Sequence, residues 1–135
     1  MDDVLVCETG AAAVTNACAV GVAAPLRYVM LTDGLMAGLQ GPALDAVFAH
    51  EIGHTRRRHL LVNLAFAAAF VLAMNALRSS AVATLAAPAV ALYLFILLSR
   101  RLERDADLFG ARLVGTPEPL VAALEAIAAG ATGRL

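Results

Sequence analysis

The densest chemistry in this chain lies in His50-Glu51-Ile52-Gly53-His54. Two histidines at i and i+4 stand one above the other on a single helix face, so both imidazoles reach one metal ion. Glu51, beside the first histidine, projects toward the same pocket without needing to be a ligand. A carboxylate there can take a proton from water and later deliver it to a leaving amine. This is the spacing of zinc-dependent peptide hydrolysis, and it predicts one Zn2+ per chain. The plainer reading is a helix that happens to carry two histidines near its polar end. The chain has only three histidines, two of them in this register with the glutamate in place, and that favours the metal. Zinc still takes a third protein ligand, which must come from elsewhere.

A chain of 135 residues suits one domain, 1–135, with no room for a second sizeable core. It is 61% hydrophobic, with a mean hydropathy of +0.78, beyond an ordinary soluble domain. A net charge of -1 argues against nucleic acid as a partner. Cys7 and Cys18 are not in a metal-binding pattern and are expected to be reduced. No signal-peptide pattern is legible at the N-terminus.

Residues 3–8 read as a strand, 15–21 as extended chain and 27–31 as a second strand. They predict a small antiparallel hairpin or meander, making the fold mainly α with a small β meander (α+β). An edge of that sheet beside the metal helix can hold an extended substrate by backbone pairing. Thr32 or Asp33 caps a short helix running to about Gln40. Pro42 then suits the first residue of the metal helix, whose pattern stays helical through His59.

Residues 60–77 and 81–98 contain no charge, and Arg78-Ser79-Ser80 alone separates them. Each stretch would be about 27 Å long as a helix, close to the hydrocarbon thickness of a bilayer. They predict an inserted transmembrane helical hairpin, with the lipid bilayer as a partner. Two helices buried in a soluble core are the alternative, but 135 residues cannot readily wrap helices that are apolar on every side. Arg56, Arg57 and Arg58 precede the first stretch, and Arg100, Arg101 and Arg104 follow the second. Both basic flanks fall on one side, which the positive-inside rule makes cytoplasmic.

The hairpin returns the chain to the level of the histidines at Glu103-Arg104-Asp105-Ala106-Asp107. Glu103 is the natural third ligand. Asp107, one turn on, can accept the second ring N–H of a ligating histidine and fix its tautomer. Arg104 and Asp105 read as solvated ion-pairing residues, and His59, five positions past His54, as an interface residue off the metal face. Gly115 ends this helix near Val114. Thr116-Pro117-Glu118 starts a last one, with Leu120, Val121, Leu124 and Ile127 as its packing stripe.

His-Glu-Ile-Gly-His followed, after an apolar hairpin, by Ser99-Arg100-Arg101-Leu102-Glu103-Arg104-Asp105-Ala106-Asp107 resembles the integral-membrane zinc metallopeptidases that include HtpX and the CAAX prenyl endoprotease. Asn16-Ala17, Thr32-Asp33-Gly34-Leu35 and Ala46-Val47-Phe48-Ala49 are similar to that family as well, so the resemblance runs from about Asn16 to about Leu124. It implies a gluzincin-type fold, one zinc held by His50, His54 and Glu103, and Glu51 as general base. It further implies polypeptide substrates among membrane or misfolded proteins, and a multi-pass plasma-membrane protein working in membrane-protein quality control with its site facing the cytoplasm. Such proteins carry further spans ahead of the catalytic segment and a His-Pro-containing stretch after the last helix, neither of which is among these residues. Two other readings stand beside this one: a signalling peptidase of the BlaR/MecR kind, and a catalytically impaired membrane pseudo-peptidase or scaffold. A site-two-type intramembrane protease takes an aspartate from a distant span, and neither apolar stretch has one.

Overall fold

The computed structural model describes residues 3–10, 14–23 and 26–132. Among these residues three strands come first: β1 (Asp3–Cys7), β2 (Ala17–Val20) and β3 (Tyr28–Thr32). Five helices follow: α1 (Asp33–Gly38), α2 (Pro42–Arg56), α3 (His59–Leu77), α4 (Ala81–Val114) and α5 (Glu118–Thr132). The small sheet is present, but its order is β1-β3-β2 and not that of an antiparallel meander. β2 runs antiparallel to β3, with Ala17 opposite Leu31, whereas β1 runs parallel to it, with Val6 opposite Leu31. β3 takes the centre because its alternate residues Val29 and Leu31 are the ones the helices cover. β2 is thereby left as an edge.

Short hydrogen bonds tie the strand ends together. The Thr32 hydroxyl donates to the Asn16 carbonyl (3.0 Å) and accepts from the Asn16 N–H (2.9 Å) and from Leu35 N–H (3.3 Å), so Thr32 is the cap of α1. Asp33 instead reaches back to Thr9, accepting from its hydroxyl and its N–H. The Thr9 hydroxyl is the main cause that holds the Asp33 carboxyl below its usual range. The core under the sheet is Val29, Leu31, Leu35, Leu39, Val47 and Ala123.

α2 starts on Pro42 and ends at Arg56, three residues short of the expected His59. The arginines at 56–58 carry no apolar face to bury. Arg57 closes the last turn onto Gly53 (2.9 Å), and Arg58 takes a left-handed conformation (φ 57°) that sends the chain off in a new direction. His59 therefore opens α3. α3 and α4 form the expected hairpin around Arg78-Ser79-Ser80, with Ser80 capping α4 and Phe66 against Phe95 (5.6 Å between ring centres). Both helices are long and apolar enough to cross a membrane. They are not core helices: no residue in either apolar window is buried, and Val82 and Leu85 are 80% and 82% exposed.

α4 is one unbroken 34-residue helix. It carries the second apolar stretch and then the carboxylate segment, so the two are rigidly joined. Its polar half packs on α2 through small residues. A Cβ added at Gly53 would lie 3.1 Å from the Ala106 Cα, which means the helices meet backbone to backbone. α5 covers the sheet side of α2. Its packed residues are Leu120, Ala123 and Ile127, while Val121 and Leu124 of the expected stripe are exposed.

Candidate metal centre

α2 presents His50 and His54 on the face that meets α4, and α4 returns Glu103 and Asp107 to the same level. The two Nε2 atoms are 3.1 Å apart, and Glu103 Oε2 lies 3.5 Å from that of His50 and 3.6 Å from that of His54. Three acceptors thus converge on one point. Ligand atoms about 2.0–2.2 Å from a tetrahedral zinc ion are about 3.3–3.6 Å from one another. The two Glu103 distances match that spacing and the histidine pair stands a little inside it, so these three side chains could hold a zinc ion.

The outer faces of both histidines are supported. Asp107 Oδ1 is 2.9 Å from His50 Nδ1, close enough to hold the proton on that nitrogen. The carboxylate stands off the N–H axis, so the contact falls short of an aligned hydrogen bond. His54 Nδ1 lies 3.0 Å from His59 Nδ1, and His59 Nε2 lies 3.2 Å from Asp105 Oδ2. Asp105 also meets Arg57 Nε at 3.6 Å, and the Arg57 guanidinium sits over Phe109. Neither His59 nor Asp105 has the place the sequence suggested. His59 is buried against His54, and Asp105 is its partner instead of a solvated neighbour of Arg104. The turn at Arg57-Arg58 is the reason, because the angle expected five residues along a helix does not apply across a break. A buried-side histidine next to a charge-free stretch, with an aspartate returning to the same level, was the signal available.

Burial is the first cause that holds His54 below the ordinary imidazole value; Glu103 opposes it, while His50 and His59 add to it. The neutral ring that ligation requires is the favoured form. Burial pushes the Glu51 carboxyl above its usual range, with His50 and the Ala19 N–H pulling it back and Glu103 adding to the rise. The Ala19 contact shows that Glu51 faces edge strand β2. Clefts of about 220 and 240 Å³ lie on either side of it, and both are lined by Ala17 and Glu51. The first continues past Cys18, His54 and Asn63, the second past His50 and Asp107. Cys7 and Cys18 are both free, and burial raises the Cys18 thiol, which keeps it protonated.

Compared with known proteins, residues 6–131 match peptidase family M48. The chain belongs to peptidase family M48. A protease HtpX homolog from Pyrococcus furiosus is 30% identical to this M48 chain over 132 residues, an alignment covering 82% of the chain and 46% of the relative. The crystal structure of S. mikatae Ste24p superposes with a TM-score of 0.73 at 21% identity, covering 92% of this chain and 37% of that one. The M48 chain therefore spans less than half the length of these relatives, and shares with Ste24p the same arrangement of helices and small sheet.

Proposed function

We propose that this M48 chain is a membrane-anchored zinc endopeptidase, with Glu51 as its general base and His50, His54 and Glu103 as its metal ligands. The observation that supports it best is the convergence of three acceptor atoms at separations close to those of a tetrahedral site, beside a half-buried glutamate that faces an edge strand. Bound zinc would supply Lewis acidity, lowering the pKa of water and polarising the scissile carbonyl. Glu51 takes a proton from the attacking water and returns it to the departing nitrogen as the C–N bond breaks. Its raised pKa makes it a better base toward the attacking water, and the carboxylic acid formed is still far more acidic than the departing amine that it protonates. An extended peptide would pair with β2 and run through the two clefts, with its scissile bond opposite Glu51.

The exposed apolar faces of α3 and α4 would lie in the bilayer, and the arginines at 56–58 and 100–104 would hold the site at the cytoplasmic surface. Substrates would be membrane or misfolded proteins reached at that surface. The test is Glu51→Gln in purified protein. It should keep its zinc and lose cleavage of an unfolded polypeptide such as casein. Loss of zinc in that variant would make Glu51 a ligand, and retained cleavage would remove it as the base.

A further inference from the structure

We infer that His59 is a positioning residue that fixes the tautomer of His54, as the middle member of a chain from His54 through His59 to Asp105. The inference rests on the zinc reading above for its consequence, though not for its geometry. A carboxylate only accepts hydrogen bonds, so at 3.2 Å Asp105 Oδ2 takes the N–H of His59 Nε2. With that proton on Nε2, the His59 lone pair lies on Nδ1, 3.0 Å from His54 Nδ1. Unlike the Nε2 pair, these two ring nitrogens have no metal position between them, so at that distance they need one proton, and it belongs to His54. His54 Nε2 is left with its lone pair facing His50 Nε2 and Glu103. That is the tautomer a ligand needs.

The two proposed ligands are thus served differently. His50 has a carboxylate beside its Nδ1, off the N–H axis, while His54 has an imidazole that relays one. The site of His59 explains the difference. It is 3% exposed, at the first residue of an apolar helix, where an ionised carboxylate would be costly and a neutral ring is not. Asp105 stays partly exposed and is clamped by Arg57. The T-shaped packing of the rings, with centroids 4.9 Å apart and planes at 88° for His54 and His59, restricts both orientations.

The experiment compares His59→Asn, His59→Gln and His59→Leu with the wild type in detergent. Asparagine puts an amide oxygen where Nδ1 was and can still accept from His54; glutamine puts its amide where Nε2 was and leaves His54 without an acceptor. Zinc dissociation constants, from competition with a chelator, should rise about 10–100-fold for Gln and Leu and be largely restored by Asn. A histidine that merely fills space would be replaced better by the larger glutamine, so Gln binding as tightly as Asn, or Leu as tightly as wild type, overturns the inference. A second readout needs no metal. Two-bond 15N–1H spectra of the wild-type imidazoles should show His54 protonated on Nδ1 and His59 on Nε2, and the opposite tautomer at either ring overturns the chain. If the wild type binds no zinc, the peptidase reading falls, and these spectra still decide whether the relay exists.

Discussion

Gly110 lies directly beneath His50: a Cβ added there would come 3.1 Å from His50 N and 3.3 Å from its Cα. With Gly53 against Ala106 one turn away, α2 and α4 touch backbone to backbone at two points. That closeness decides whether Glu103 and Asp107, on the same face of α4, reach the histidines at all.

Gly110→Ala tests it. Alanine gains about 1 kcal/mol of helix propensity over glycine, while overpacking against backbone costs about 1–3 kcal/mol. The net should be a destabilisation of up to about 2 kcal/mol, read by denaturant unfolding. Zinc affinity should fall in the same variant, because α4 must move away from His50. Unchanged affinity would mean the carboxylates do not depend on the close approach.

Glu103→Gln and Asp107→Asn should separate ligation from support. A neutral amide is a far poorer zinc ligand than a carboxylate, so Glu103→Gln should lose most of the metal. Asp107→Asn leaves every proposed ligand in place and should weaken binding about 10–100-fold. Equal losses, or a larger loss at Asp107, would move the third ligand there.

Much of this was legible in the sequence, because the informative relations are local. The i, i+4 pairs His50/His54 and Glu103/Asp107 are fixed by helix geometry, and equal apolar lengths around a tight turn bring the two pairs to one level. Thr32 as a cap and Pro42 as a first residue follow from single-residue chemistry. Relations across breaks in the chain were not legible. The parallel pairing of β1 with β3 depends on which strand the helices cover, and strand patterning carries no information about that. The contact of His59 with His54 depends on the left-handed turn at Arg58. The meeting of Gly53 with Ala106 depends on how closely two helices pack.

The Glu51 shift carries a sign that can be checked. A folded pKa raised by burial means that the fold favours the protonated acid. That contribution is fully present below the unfolded pKa and is lost as pH rises through the folded one. In metal-free protein, Glu51→Gln should therefore raise the unfolding midpoint near neutral pH, and the gain should vanish toward about pH 4. A destabilised variant at neutral pH would mean the ionised carboxylate makes contacts that outweigh its burial.

Topology is testable by thiol labelling after Cys7 and Cys18 are replaced. A cysteine at exposed Ser79, in the turn between α3 and α4, should react with an impermeant reagent added outside intact cells. One at exposed Arg56 should not; Thr55 would be a poor probe because it is buried. Labelling at Arg56 from outside would put the metal centre in the other compartment. A protein recovered in the soluble fraction would end the membrane reading.

Zinc K-edge absorption on the purified protein, with the metal quantified per chain, bears most directly on the centre itself. One zinc per chain should be found, with only nitrogen and oxygen neighbours at about 2.0–2.2 Å and an imidazole signature from two histidines. Sulfur at about 2.3 Å, which would bring in Cys18, or a wild-type protein that binds no zinc, would contradict the ligand set His50, His54 and Glu103.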